Sequence, residues 1–246
     1  MKIALAALGF KNGDIDYNFG VVLHTLEKFE GKADFIIFGE TFLQGFDGLD
    51  WEYEKDIKRA LSLDDPRIRE IRDKVRLTRV ALSIGLFELY EGKLYDTQIA
   101  IDKTGDIIHV YRRISASWKE SFVRDPRYAQ GERFSCFFFM GKTFMVALCG
   151  DLWYEDILAE ANKIKSDYLI WPVYLDFSPT RWNEEEKFPY SQQAALLSRP
   201  TFLVNCYCLD KEDISYYSKG GTCYFDDGKI IKEIPSGEEG ILLLDI

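Results

Sequence analysis

Histidine is nearly absent from this chain: only His24 and His109 occur in 246 residues. His24 lies within the amphipathic run "VVLHTLEKFE" and His109 inside the strand-like "DIIHVYR" rather than at its end, so both read as structural. A Cys-His-Asn/Asp catalytic arrangement therefore has little support. Paired cysteine spacing is missing too. The five cysteines, Cys136, Cys149, Cys206, Cys208 and Cys223, are odd in number, sit in strand-like stretches and show no CxxC. That points to reduced thiols in a cytoplasmic chain, and with two isolated histidines it offers no recognised metal-ligand spacing.

Positive charge is in deficit: 31 Lys and Arg against 41 Asp and Glu give a formal net charge of -10. This opposes binding to a phosphate backbone or an anionic lipid surface, so neither nucleic acid nor membrane is expected as a partner. The densest acidic run, Glu184 to Glu186, reads as a solvated helix face. No apolar run approaches the roughly 20 residues needed to span a bilayer. The opening "MKIALAALGF" runs straight into "KNGDIDYN" and reads as a first strand rather than a secretion signal. Repeats, low-complexity segments and Pro/Gly/Ser-rich linkers are also lacking, which leaves one domain over residues 1–246 as the simplest organisation.

What is present is apolar and aromatic: 47% of residues are hydrophobic and 15% are Phe, Trp or Tyr, enough for a large core. The first third alternates strand and helix, through "KIALAALG", "YNFGVVLHTLEKFEG", "DFIIFGE" and "DPRIREIRDKVRLT". From Val80 strand follows strand: "VALSIGLFE", "LYDTQIAID", "DIIHVYR", "RFSCFFFM" and "TFMVALCG". A second mixed stretch follows, with helical "WYEDILAEANKI" and "NEEEKFPYSQQAALLS" among strands such as "DYLIWPVY" and "TFLVNCYCL". Helices in two groups around many strands suggest two sheets packed between two helical layers.

Three polar residues end strongly apolar strands: Glu40 after "DFIIFG", Glu88 after "ALSIGLF" and Cys149 after "TFMVAL". That end of an α/β sheet is where ligands usually bind, although a strand-end carboxylate also caps helices or pairs with Arg. Cys149 precedes a helix start, whose N-terminal dipole favours a thiolate; Cys206 and Cys208 lack that context and read as core. If Cys149 is a nucleophile, a carboxylate is a more plausible base than either histidine, and Glu40 is the best-placed candidate. An oxyanion needs positive charge or N–H groups, and "VYRRIS" supplies Arg112 and Arg113 directly after a strand.

The ordered set "IIFGETF", "IGLFE", "YRR" and "LCGDLWYED" resembles the nitrilase superfamily of carbon-nitrogen hydrolases. The likeness covers nearly the whole chain, since "YDTQIAIDKTGDIIHVYRR", "YAQGERF" and "SKGGTCYFDDGKII" also fall in the family's order. It implies an α+β fold, a four-layer αββα sandwich, and a homodimer. It matches Glu40 to the general base, Cys149 to the acylated nucleophile and Glu88 to a second, supporting glutamate. The departure is at the family's lysine, where the motif resembles Tyr-Arg-Lys and this chain reads Tyr111-Arg112-Arg113. Ser115 stands where a histidine commonly follows that lysine, and Lys119 is a substitute amine only if its loop folds back. "CGDLW" resembles, in its Asp-Leu-Trp, the glutaminase domains attached to NAD synthetases, but no synthetase domain is expected after "GILLLDI".

The resulting expectation is an amidase that needs no cofactor, acting on a small-molecule amide, with Arg113 and backbone N–H groups near Gly150 holding the oxyanion. Trp153 and Trp171 are candidate walls of the substrate pocket, though aromatic residues in such places are core at least as often. Two alternatives stay open: a binding or regulatory protein that lost catalysis with the lysine, and acyl transfer to an amine.

Overall fold

The computed structural model describes residues 1–210 and 217–246. Its strands are β1 (Lys2–Ala7), β2 (Gly9–Phe10), β3 (Phe35–Phe38), β4 (Ala81–Tyr90), β5 (Lys93–Ile101), β6 (Ile107–Arg112), β7 (Cys136–Phe139), β8 (Lys142–Val146), β9 (Tyr168–Val173), β10 (Thr201–Asn205), β11 (Tyr207–Cys208), β12 (Gly220–Asp226), β13 (Lys229–Ser236) and β14 (Gly240–Asp245). The helices are α1 (Ile15–Lys28), α2 (Tyr53–Asp56), α3 (Pro66–Thr78), α4 (Glu155–Lys163), α5 (Pro179–Arg181) and α6 (Lys187–Ala195), with a π-helical turn over Trp182–Glu186 joining α5 to α6. No helix is long and apolar enough to cross a membrane among the described residues.

Two six-stranded sheets carry the fold, in the orders β14-β1-β3-β4-β5-β6 and β13-β12-β10-β9-β8-β7. Each has a parallel centre, β1, β3 and β4 in one and β8, β9 and β10 in the other, flanked by antiparallel strands. The two-residue alternation of a strand decides the layering. Ala4, Ala6, Ile36 and Phe38 face Val22 and Leu26 of α1 and Ile68, Ile71 and Val75 of α3. Ile3, Leu5, Phe35 and Ile37 point the other way, into the core shared with the second sheet. There Phe35 meets Phe137, Phe139 and Phe144 at ring separations of 6.2, 5.2 and 5.8 Å. Burying each such ring contributes roughly 1.5–3 kcal/mol relative to leaving it exposed.

On the second sheet sit α4 and α6, with Tyr190 of α6 stacked on Trp171 of β9 at 5.4 Å. The order is helix, sheet, sheet, helix: the αββα sandwich expected from the sequence. Helix boundaries follow local chemistry. Asp14 caps α1 by accepting from Tyr17 N, and Asp65 caps α3 at Arg67 N with Pro66 next in line. The acidic run is mostly solvated as expected, with Glu184 and Glu185 exposed, while Glu186 pairs with Arg181.

Parallel strands send their carboxyl ends to one edge, so the chain leaving β3 and the chain leaving β8 arrive together there, and β6 ends beside them through its pairing with β5. Gly85 of β4 supports the turn after β3. A Cβ on Gly85 would stand 2.3 Å from Thr41 N and 2.7 Å from Gly39 O, both backbone atoms. Gly85→Ala is expected to lower the unfolding free energy by about 1–3 kcal/mol. Urea unfolding checks this; a loss under about 0.5 kcal/mol would show that the turn yields at little cost.

Candidate active site

Glu40 is directed inward by its neighbours. Gly39 N donates to Cys206 Sγ at 3.1 Å, a Cβ on Gly39 would come within 2.5 Å of that sulfur, and Thr41 turns the chain at φ 46°. Glu40 is left 2% exposed. Its Oε1 accepts from Arg113 Nη1 at 2.7 Å. Arg113, likewise 2% exposed, enters from the end of β6, its N donating to Asp96 O at 2.8 Å. Its Nε donates to Ser115 Oγ at 2.9 Å and its Nη2 to Ser117 Oγ at 2.8 Å. Asp96 Oδ2 lies 3.5 Å from Nη1.

Cys149 opens a 3-10 turn, Cys149–Trp153, in the left-handed conformation at φ 37°. A non-glycine residue holds that geometry only where its surroundings impose it. Trp171 Nε1 donates to Cys149 O at 2.9 Å. The Asp151 carboxylate accepts from Leu148 N at 3.0 Å, Ser115 N at 2.7 Å and Tyr111 Oη at 2.6 Å, binding the turn to the segment after β6. Gly150 then passes so near Arg113 that a Cβ would stand 2.6 Å from Nη2 and 2.5 Å from Ser117 Oγ. The thiol Sγ lies 3.8 Å from Tyr174 O.

Electrostatics separate the roles. Burial opposes charge on Arg113, but Glu40, the sulfur of Cys149, Asp96 and Asp151 outweigh it, and the guanidinium is held above its ordinary pKa. Burial, then the charge of Glu40, push the Cys149 thiol up, and Arg113 offsets only part of this. The thiolate expected from a helix dipole is therefore corrected: α4 starts only at Glu155, and local desolvation outweighs the short turn that intervenes. The thiol is thus held neutral, within the field of the Glu40 carboxylate.

The structure brings together Glu40, Arg113, Cys149 and Gly150. It does not bring Glu88 to them by any hydrogen bond or ion pair among the described residues. The β4 strand runs on to Tyr90, and Glu88 is taken up by Arg112, with 2.7 Å contacts to both oxygens, and by Thr97 at 2.9 Å. Lys119 donates to Tyr128 O at 3.0 Å instead of replacing the family's lysine, and burial lowers its pKa. Trp171 is fully enclosed and holds the Cys149 carbonyl, so it supports the turn rather than lining a pocket. Trp153 is exposed and packs edge-on against Tyr190 at 5.0 Å. Cys206 and Cys208 are buried as expected, although the strand breaks between them at Cys206. Sequence reasoning missed Asp96, Ser117, Asp151 and Tyr111; the alternation Arg113, Ser115, Ser117 was the one local signal. No metal-ligand group of three His, Cys, Asp or Glu forms among the described residues.

Comparison with known proteins matches residues 2–246 to the family described as "Carbon-nitrogen hydrolase". An (R)-stereoselective amidase from Pseudomonas sp is 26% identical over 62% of this chain and 52% of its own length. A glutamine-dependent NAD(+) synthetase from Aquifex aeolicus is 23% identical over 100% of this chain and 42% of its own length. The chain thus spans about half the length of these relatives or less. In three dimensions an amidase from Nesterenkonia sp. superposes with a TM-score of 0.78, at 16% identity, over 100% of this chain and 90% of that one.

His109 gives a pH prediction for stability. It is buried against Phe137, its ring contacts Ser135 Oγ at 2.9 Å, and burial lowers its pKa to about 4 from 6.5. Between those limits the unfolded chain binds a proton that the folded protein refuses, so this contribution is constant above pH 6.5 and stability falls as pH drops towards 4. The slope is up to about 1.4 kcal/mol per pH unit. His109→Gln should remove that component in denaturant titrations across the window; an unaltered slope would show that His109 protonates in place.

Proposed function

The chain belongs to the carbon-nitrogen hydrolase family, and from that premise we propose that it hydrolyses the carbon–nitrogen bond of a small carboxamide through a cysteine acyl-enzyme. The observation that carries this reading is the buried 2.7 Å contact between Glu40 and Arg113 beside Cys149 on its left-handed turn. Glu40 takes the thiol proton as Sγ attacks the carbonyl carbon, and the carbonyl oxygen becomes the oxyanion. A guanidinium has five N–H groups; three are committed to Ser115, Glu40 and Ser117, and of the two that remain the one on Nη1, the nitrogen paired with Asp96, is set aside, while the one on Nη2, the nitrogen near Gly150, is left for that oxyanion. When the intermediate collapses, the C–N bond breaks, the nitrogen takes the proton from Glu40 and ammonia leaves. Glu40 then deprotonates a water that attacks the thioester, and returns the proton to sulfur as the carboxylic acid departs.

Arginine at position 113 supplies charge but, with its pKa above about 12, not a proton. All proton traffic therefore passes through Glu40. This same feature favours the second reading, a nitrilase-like binding protein with impaired catalysis, and the two separate experimentally.

Ammonia release from a panel of carboxamides, including glutamine and dicarboxylic monoamides, is expected above the Cys149→Ala blank, with that substitution costing roughly three orders of magnitude or more in kcat while the protein stays folded. A fully active Cys149→Ala protein would sink the mechanism. Arg113→Lys should reduce kcat by about 10- to 100-fold, because an ammonium keeps the charge but cannot reach Glu40, Ser115 and Ser117 together. A gain of activity from an inert parent would favour the binding-protein reading.

A further inference from the structure

Buried carboxyl groups outnumber the cation they share. Glu40 and Asp96 both form ion pairs with Arg113, at 2.7 and 3.5 Å, and each is no more than 2% exposed. Asp151, equally enclosed, is met by three donors. Asp96 is not: neither Oδ1 nor Oδ2 has a hydrogen-bond donor among the described residues, and Glu40 Oε2 is in the same condition. Both carboxyls reach the same guanidinium nitrogen, Nη1, which sets Asp96 and Glu40 against each other.

Two ionised carboxylates in that position leave one negative charge unpaired away from water, which costs several kcal/mol. A single proton placed between them removes the excess charge and gives both Asp96 and Glu40 Oε2 a partner. We infer that Asp96 is a positioning residue that carries a proton in the resting protein and donates it to Glu40 Oε2, joining Asp96, Glu40 and Arg113 into one hydrogen-bonded unit without net charge. Burial first, then the charge of Glu40, hold the Asp96 carboxyl well above the usual carboxylate range, against the pull of Arg113. The other titratable groups facing it are Asp151, Tyr111 at the end of β6, and Cys149.

This deepens, and its kinetic part rests on, the reading of Glu40 as the base for Cys149. A carboxylate oxygen has two acceptor sites, so Oε2 keeps one for the thiol proton while the other is held by Asp96. In the step itself the S–H bond breaks and an O–H bond forms on Glu40, while Asp96 retains its own proton. Asp96 thereby supplies the unit with a dissociable proton, which a guanidinium in the lysine position does not.

The test is infrared spectroscopy of the whole protein at neutral pH with carbon-13 in the aspartate carboxyls, alongside Asp96→Asn. A carbonyl stretch of a protonated acid that shifts on aspartate labelling and is lost in Asp96→Asn is expected. Its absence from the parent protein, or its survival in the variant, overturns the inference whether or not any amide is turned over. The labelled parent needs no variant, so misfolding cannot hide the answer. Where turnover is measured, Asp96→Asn should lower kcat by about 10-fold or less with the alkaline limb moved to higher pH, and Asp96→Leu by more than about 100-fold, with KM little changed in both. Equal losses in the two variants would overturn the positioning role; a silent enzyme that keeps the band would instead overturn the amidase reading alone.

Discussion

A guanidinium closed off from water must be surrounded by acceptors, and the site is organised by how Arg113 obtains them. Moving such a charge out of water costs several kcal/mol unless its hydrogen bonds are replaced. Glu40 comes from the turn after β3, and Ser115 and Ser117 come from the segment that follows Arg113 itself. Gly150 must lack a side chain because Nη2 occupies the space that a Cβ would fill. Three separate stretches are thus fixed around one planar group, and a rigid fork with several donors does this where a single ammonium would not.

The sheets make that convergence possible. Parallel pairing of β3 with β1 and β4, and of β8 with β9, aims two loops at the same edge, and the aromatic contacts of Phe35 with the second sheet keep the two halves in register. Tension at the nucleophile is then local. Cys149 adopts a left-handed backbone because Trp171 holds its carbonyl while Asp151 ties Leu148, Ser115 and Tyr111 together below it. Burial of the sulfur, on a residue that is partly exposed as a whole, also holds the thiol above its ordinary pKa, with the charges of Glu40 and Arg113 acting on it in opposite directions.

Much of this was legible in the residues. Alternating apolar strands with two groups of helices indicated the layers, and Glu40 and Cys149 stood out because each interrupts the end of an apolar run. The rest depended on contacts between distant segments. Asp96 lies inside "YDTQIAID" and looks like any polar strand residue until pairing sets it beside Arg113. Asp151 looks like a helix-start acid but serves the Cys149 turn. Glu88 stood out as a strand-end carboxylate, and the resemblance matched it to a supporting glutamate; the strand continues past it, and its hydrogen-bond partners are Arg112 and Thr97. Local sequence indicated which groups approach the edge of the sheet, not which arginine each would meet.

The most direct test of the central claim, that the Arg113 and Glu40 pair serves an acylated Cys149, is the intact mass of the protein quenched during exposure to a carboxamide that releases ammonia. The account predicts one adduct equal to the amide less ammonia, mapped to the peptide containing Cys149. Ammonia release with no adduct on that cysteine under any quench time, or an adduct on another residue, would contradict it.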